Sequence, residues 1–139
     1  NRVDYGMRLA PSCAPANNDA VFPYWRQFEH SPPVRTEALG TFEYLGYGIS
    51  EQRLVRAGHP DAAYLLRLRQ FRQRPVWITT SKNDNGRCQA RVRVAIGNVP
   101  FAELSSIFVK LAGALSVEYI IVKGRDPGSG KPIEEKIMR

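Results

Sequence analysis

Val76-Trp77-Ile78-Thr79-Thr80 opens the stretch, residues 76–123, on which the fold turns. Rich in β-branched and aromatic residues, it reads as a strand, and Asn85-Gly86 after it is a strong hairpin signal. From Arg87 to Ile96 the chain then alternates. Cys88, Ala90, Val92, Val94 and Ile96 fall on one side, and Arg87, Gln89, Arg91 and Arg93 on the other. Over residues 99–115 the spacing predicts a helix. Pro100 stands at its start, and Phe101, Leu104, Phe108, Leu111 and Leu115 recur at steps of three and four. Val117-Glu118-Tyr119-Ile120-Ile121-Val122 closes as a strand. Hairpin, helix and strand make the second half of a split βαβ unit.

A matching first half is expected upstream. Residues 39–48 read as a strand through Thr41-Phe42-Glu43-Tyr44-Leu45, ending in Gly46-Tyr47-Gly48. Ser50 is a suitable cap for a helix over residues 50–57, and Gly58 a suitable stop. Pro60 and Asp61 start a second helical stretch running to about Gln73, with Leu65, Leu68 and Phe71 as its buried stripe. The fold class expected is therefore α+β: a ferredoxin-like β-α-β-β-α-β half-barrel with short extra helices. Residues 1–36, broken by Pro11, Pro15, Pro23, Pro32 and Pro33, form an N-terminal arm with one short helix near 18–28. Residues 37–124 are the core, and residues 125–139 a linker and tail. Because the first residue is Asn1, the sequence reads as an excised domain.

The chain has 139 residues, 43% apolar and 24% charged, ordinary for one globular domain. Cys13 and Cys88, far apart, argue against a disulfide framework and for an intracellular, reducing compartment. No apolar run is long enough for a membrane span. A net charge of +7 favours a polyanionic partner, nucleic acid before an acidic membrane surface.

Between residues 53 and 74 six arginines (Arg53, Arg56, Arg67, Arg69, Arg72, Arg74) face one acid, Asp61. Arginine offers a planar fork of donors suited to phosphates and guanine edges. The bland alternative is a solvated helix face, which the lack of acidic partners weakens. Lys82, Arg87, Arg91 and Arg93 on the hairpin form a second basic patch. It could hold a single strand, contact an acidic protein, or keep a sheet face wet.

Chemistry is sparse. His30 and His59 have no metal-ligand partners at suitable spacing, so no metal site or cofactor is expected. Gly128-Ser129-Gly130-Lys131 is no phosphate loop, since Arg125 replaces the first glycine and Pro132 follows the lysine. No enzyme and no small-molecule substrate are expected.

Several short runs resemble the gammaherpesvirus episome-maintenance DNA-binding domains, the latency-associated and Epstein–Barr nuclear antigen type. They are His30-Ser31-Pro32-Pro33-Val34-Arg35-Thr36-Glu37 leading through Gly40-Thr41-Phe42, then Tyr44-Leu45-Gly46, Leu54-Val55-Arg56-Ala57-Gly58 and Phe101-Ala102-Glu103-Leu104. The resemblance covers residues 31–123 as scattered matches. It implies a homodimer closing an eight-stranded barrel, with higher oligomers open, that reads double-stranded DNA and maintains a viral episome in the host nucleus, with chromatin proteins as further partners.

On that reading the helix over 50–57 enters the major groove. Gln52 and Arg53 reach toward base edges, Ser50 at the helix start joins the DNA-binding set, Arg56 and His59 lie near phosphate, and Arg67 and Arg69 widen the track. Arg2 or Arg8 lies in the minor groove. Tyr119, Ile120, Ile121 and Val122 form the dimer interface, because a monomer would leave an apolar edge. Two alternatives stand beside it: an RNA or single-strand binder on the basic hairpin, and a non-enzymatic protein-interaction module.

Overall fold

The computed structural model describes residues 2–28, 35–55, 63–113 and 116–139. These form ten strands, one α-helix and one 3-10 turn. In chain order they are β1 (Arg2–Met7), β2 (Val21–Gln27), β3 (Arg35–Ala38), α1 (Thr41–Tyr47), β4 (Ile49–Leu54), β5 (Tyr64–Leu68), the turn Arg69–Phe71, β6 (Val76–Lys82), β7 (Cys88–Ile96), β8 (Val99–Leu111), β9 (Val117–Arg125) and β10 (Pro132–Met138). Strands β4 to β10 make one antiparallel meander in the order β10-β9-β8-β7-β6-β5-β4, and β1-β2-β3 make a second, smaller sheet. The expected ferredoxin-like half-barrel is thus corrected: the described residues are mostly β and hold a single α-helix.

The corrections have physical causes. The β6–β7 hairpin forms where the alternation places it, with Trp77 opposite Arg93, Ile78 opposite Val92 and Gly86 at φ 75° in the turn. β8 occupies the stretch expected as the second helix. A bulge leaves Ser105 unpaired between Leu104, opposite Gly124, and Ser106, opposite Lys123. The extra residue flips the parity, so the inward set runs Ala102, Leu104, then Ile107 and Val109. A period of two with one inserted residue imitates helical spacing.

The turn and strand over residues 63–71 replace most of the helix expected to run to Gln73. Tyr64 and Leu66 face the core while Leu65 is buried on the opposite face, in register between Arg53 and Trp77. A strand buried on both faces reads as a continuous apolar run and loses its alternation. Ser50, expected to cap a helix, lies in β4 and donates its hydroxyl to the Arg67 carbonyl at 3.1 Å. Conversely, the strand expected over 39–48 is α1, whose start is fixed by the Glu43 carboxylate accepting the Gly40 N–H. The helix expected near 18–28 is β2. The expected tail supplies β10, reached through a tight turn in which the Gly130 N–H donates to the Asp126 carbonyl at 2.7 Å.

The core lies on the concave side of the meander. Tyr64, Val94, Ala102, Ile120 and Val122 are wholly buried there, each large aliphatic contributing about 2 kcal/mol by leaving water. Gly124 faces the same side, where a Cβ would sit 2.1 Å from the Glu103 carbonyl oxygen and 2.8 Å from Ile96 Cδ1. That glycine lets β8 and β9 bend tightly over the core. The bend brings β10 back toward the start of the meander. Arg74 forms a two-pronged ion pair with Glu135, both contacts at 2.7 Å, and also donates to the Ala95 carbonyl, while Glu135 accepts the Gly97 N–H.

The small sheet is attached by polar contacts and one covalent bond. The buried Tyr64 hydroxyl accepts the Ala20 N–H at 3.0 Å and donates to Gln52 Oε1, which also accepts the Val21 N–H at 2.9 Å. The Leu54 N–H donates to Asn18 Oδ1 at 2.7 Å. Cys13 and Cys88 are joined by a disulfide with their Cα atoms 5.3 Å apart, which corrects the expectation of two unpaired cysteines. The pairing was hidden because the partners are 75 residues apart and only the sheet brings them together.

Candidate functional site

Between the small sheet and the concave face of the meander lies a cleft of about 860 Å³. One wall comes from a single face of β1 and β2, with Val3, Tyr5, Met7, Val21 and Trp25. The opposite wall is aliphatic, with Leu66, Val76, Ile78, Val92, Ile107 and Val109. Tyr5 donates its hydroxyl to the Tyr47 carbonyl, and Trp25 meets the Tyr47 ring edge-on at 5.8 Å. These contacts hold the aromatic wall in place from the end of α1. Tyr5 opens its ring onto the cleft and is partly exposed there, while desolvation of its hydroxyl raises its pKa and keeps the phenol neutral.

Gly46, Tyr47 and Gln70 line this cleft and also a second chamber of about 600 Å³. The chamber is polar on one side, with Arg69, Arg72, Arg139, Glu43 and Ser50, and apolar on the other, with Leu111 and Val117. The Arg69 guanidinium lies 5.6 Å over the Tyr44 ring. Arg139 donates to the Gln70 carbonyl, and Gln70 Nε2 donates to the Leu45 carbonyl at 3.1 Å.

The residues singled out for DNA contact are dispersed. Gln52 has both ends of its amide engaged inside the fold, by Val21, Tyr64 and Asp19. Arg53 and Arg67 share the Glu51 carboxylate at 3.5 and 3.3 Å on the convex face. Arg69 turns into the chamber. Arg2 is paired with Asp4 at 2.7 Å, and Arg8 lies 4.4 Å over Phe22. Arg56 and His59 lie outside the described residues.

The hairpin patch is split. Arg91 and Arg93 face outward opposite Thr79 and Trp77, Arg87 stands at the turn, and Lys82 has the parity of Cys88. Of the expected dimer residues, Ile120 and Val122 are fully buried in the core. Tyr119 and Ile121 face outward, in register with Lys110 and Phe108.

Among the described residues no three His, Cys, Asp or Glu side chains converge to hold a metal, and no helix is long and apolar enough to cross a membrane. The cleft walls escaped sequence reasoning: Val3, Tyr5 and Met7 alternate with Asp4 and Gly6, but residues 21–25 are an unbroken apolar run with no period.

A family model described as "Domain of unknown function (DUF4833)" matches residues 1–136, spanning the small sheet, the cleft and the meander up to the last two residues of β10. The chain belongs to the DUF4833 family. That membership, together with the all-antiparallel sheets, overturns the resemblance to the gammaherpesvirus DNA-binding domains. No curated protein and no solved structure matches the DUF4833 chain.

Proposed function

We propose that this DUF4833 chain is a binding protein that takes a small apolar molecule between its two sheets, without catalysing a reaction on it. The carrying observation is the cleft of about 860 Å³ walled by Tyr5, Trp25 and the aliphatic concave face. Ligand sites span roughly 300–1,000 Å³ and are mostly apolar with a few polar groups, and this cleft has that size and character. Burial of apolar ligand surface supplies about 25 cal/mol per Å², and the rigid aromatic wall reduces what must be ordered on binding. The disulfide supports an oxidising compartment over the cytosol.

Titration with N-phenyl-1-naphthylamine, a neutral dye bright only in apolar surroundings, tests this. Saturable brightening that weakens in Tyr5→Ala and Trp25→Ala is expected. A folded wild-type protein that leaves the dye dark refutes it.

A second reading keeps the polyanion on the convex face. Its support is Trp77 standing in register beside Arg93, with Arg91 two register pairs along on the same face, an arrangement of cations and an aromatic suited to single-stranded nucleic acid. It predicts that Arg91→Glu with Arg93→Glu abolishes retention of a labelled single strand while Arg53→Glu does not. The duplex-reading mode loses its element, because residues 50–54 are strand.

A further inference from the structure

We infer that the ligand is a single-chain amphipath, its tail in the cleft and an anionic head, a carboxylate or a phosphate monoester, on Arg69 and Arg72 in the adjoining chamber. This rests on the cleft reading and adds the chemistry of the head. Three observations carry it.

The first is adjacency. Gly46, Tyr47 and Gln70 line both spaces, which puts a head in the chamber within reach of a tail in the cleft. The second is charge. The chamber collects Arg69, Arg72 and Arg139 against one acid, Glu43, and that carboxylate is engaged by the Gly40 N–H at the start of α1. Neighbouring arginines behave differently: Arg67 has Glu51 at 3.3 Å and Arg74 has Glu135 at 2.7 Å. Among the described residues neither Arg69 nor Arg72 has a carboxylate partner. Like charges gathered without counter-charge repel, and a bound anion relieves that.

The third is placement. Arg69 is steadied over the Tyr44 ring and Arg139 by the Gln70 carbonyl, so a planar guanidinium fork is partly preorganised for a bidentate oxyanion. Leu111 and Val117 make the facing wall apolar. That lowers the local dielectric and strengthens the attraction. A free inorganic anion would leave the apolar cleft beside it empty, whereas an amphipath fills both.

The test is calorimetric titration of the full chain with decanoate, decyl phosphate, decanol, decyltrimethylammonium and inorganic phosphate. Wild type is compared with the Arg69→Gln/Arg72→Gln double variant, whose folding is checked by its thermal melt. The expected result is that one or both anionic amphipaths bind at least ~10-fold tighter than decanol, as one charge-assisted contact supplies. That advantage should shrink with salt and vanish in the double variant, while decanol binds both proteins equally. Whichever of decanoate and decyl phosphate binds better identifies the head.

Decanol matching both anions in wild type overturns the head assignment and leaves the cleft reading standing. An advantage that survives in the double variant overturns it too. If no chain-bearing ligand binds, the cleft reading itself fails, and binding of inorganic phosphate alone then marks a simple anion site and overturns the amphipath.

Discussion

At one side of the molecule the loop between β1 and β2 is bonded covalently to the start of β7 through Cys13 and Cys88, and at another β10 is tied back across the sheet by Arg74 and Glu135. The two attachments answer different needs. β10 is already hydrogen-bonded to β9 along seven register pairs, so the ion pair only closes the curl. Among the described residues the small sheet shares no strand pairing with the meander. It rests on Met7 and Val21 in the core and on the Tyr64, Gln52 and Asn18 hydrogen bonds. A layer held by so few contacts can separate from its partner, and a covalent link limits how far. Since that layer is one wall of the cleft, the staple guards the cleft and the latch guards the curl of the meander.

The comparison is broken most directly by removing the staple. Cys13→Ser with Cys88→Ser frees a loop of 75 residues and should lower stability by about 4 kcal/mol. Amide exchange should quicken in β1–β3 well before β7–β9. Equal acceleration in both sheets would mean the disulfide serves the whole fold.

Gly124→Ala strikes only the meander. Its Cβ meets the Glu103 carbonyl, so β8 and β9 must part, at about 3 kcal/mol by chemical denaturation. Exchange should then rise in β8 and β9 first.

Glu135→Gln opens the latch and should cost about 2 kcal/mol at neutral pH. Arg74 holds the Glu135 carboxyl down to about 2 from its ordinary 4.5. A lowered folded-state pKa contributes stability that is complete above the ordinary value and fades as pH falls toward the folded one. Denaturation midpoints of wild type and variant should therefore differ at pH 7 and converge as pH drops from 4.5 toward 2.

The smallest effect is expected from Tyr64→Phe, at about 1 kcal/mol. It deprives the Ala20 N–H of its acceptor and loosens the start of β2. Dye binding in the cleft should weaken along with it.

Legibility followed how purely each segment showed its period. Cys88 to Ile96 alternates without interruption and pairs on both sides in the meander, so its strand and inward face were readable. β9 was readable instead from its β-branched run, Ile120-Ile121-Val122. β8 was not, because the Ser105 bulge converts an alternation into steps of three. Tyr64 to Leu68 is buried on both faces and shows no period at all.

The site was less visible still. Arg69 stood out as basic but was assigned to a helix that does not form, and Arg139 passed as tail. The cleft is made by two sheets meeting, a relation no local pattern carries.

One consequence follows from the strands with a neighbour on one side only. β10 carries Pro132, Glu134 and Lys136 along its length, and β3 is four exposed residues that include Arg35 and Glu37. Proline withholds an amide, and charge resists stacking of identical copies. A protein whose described residues are mostly β-structure is thereby protected at these edges from growing into fibrils, and concentrated solutions should stay clear on long standing.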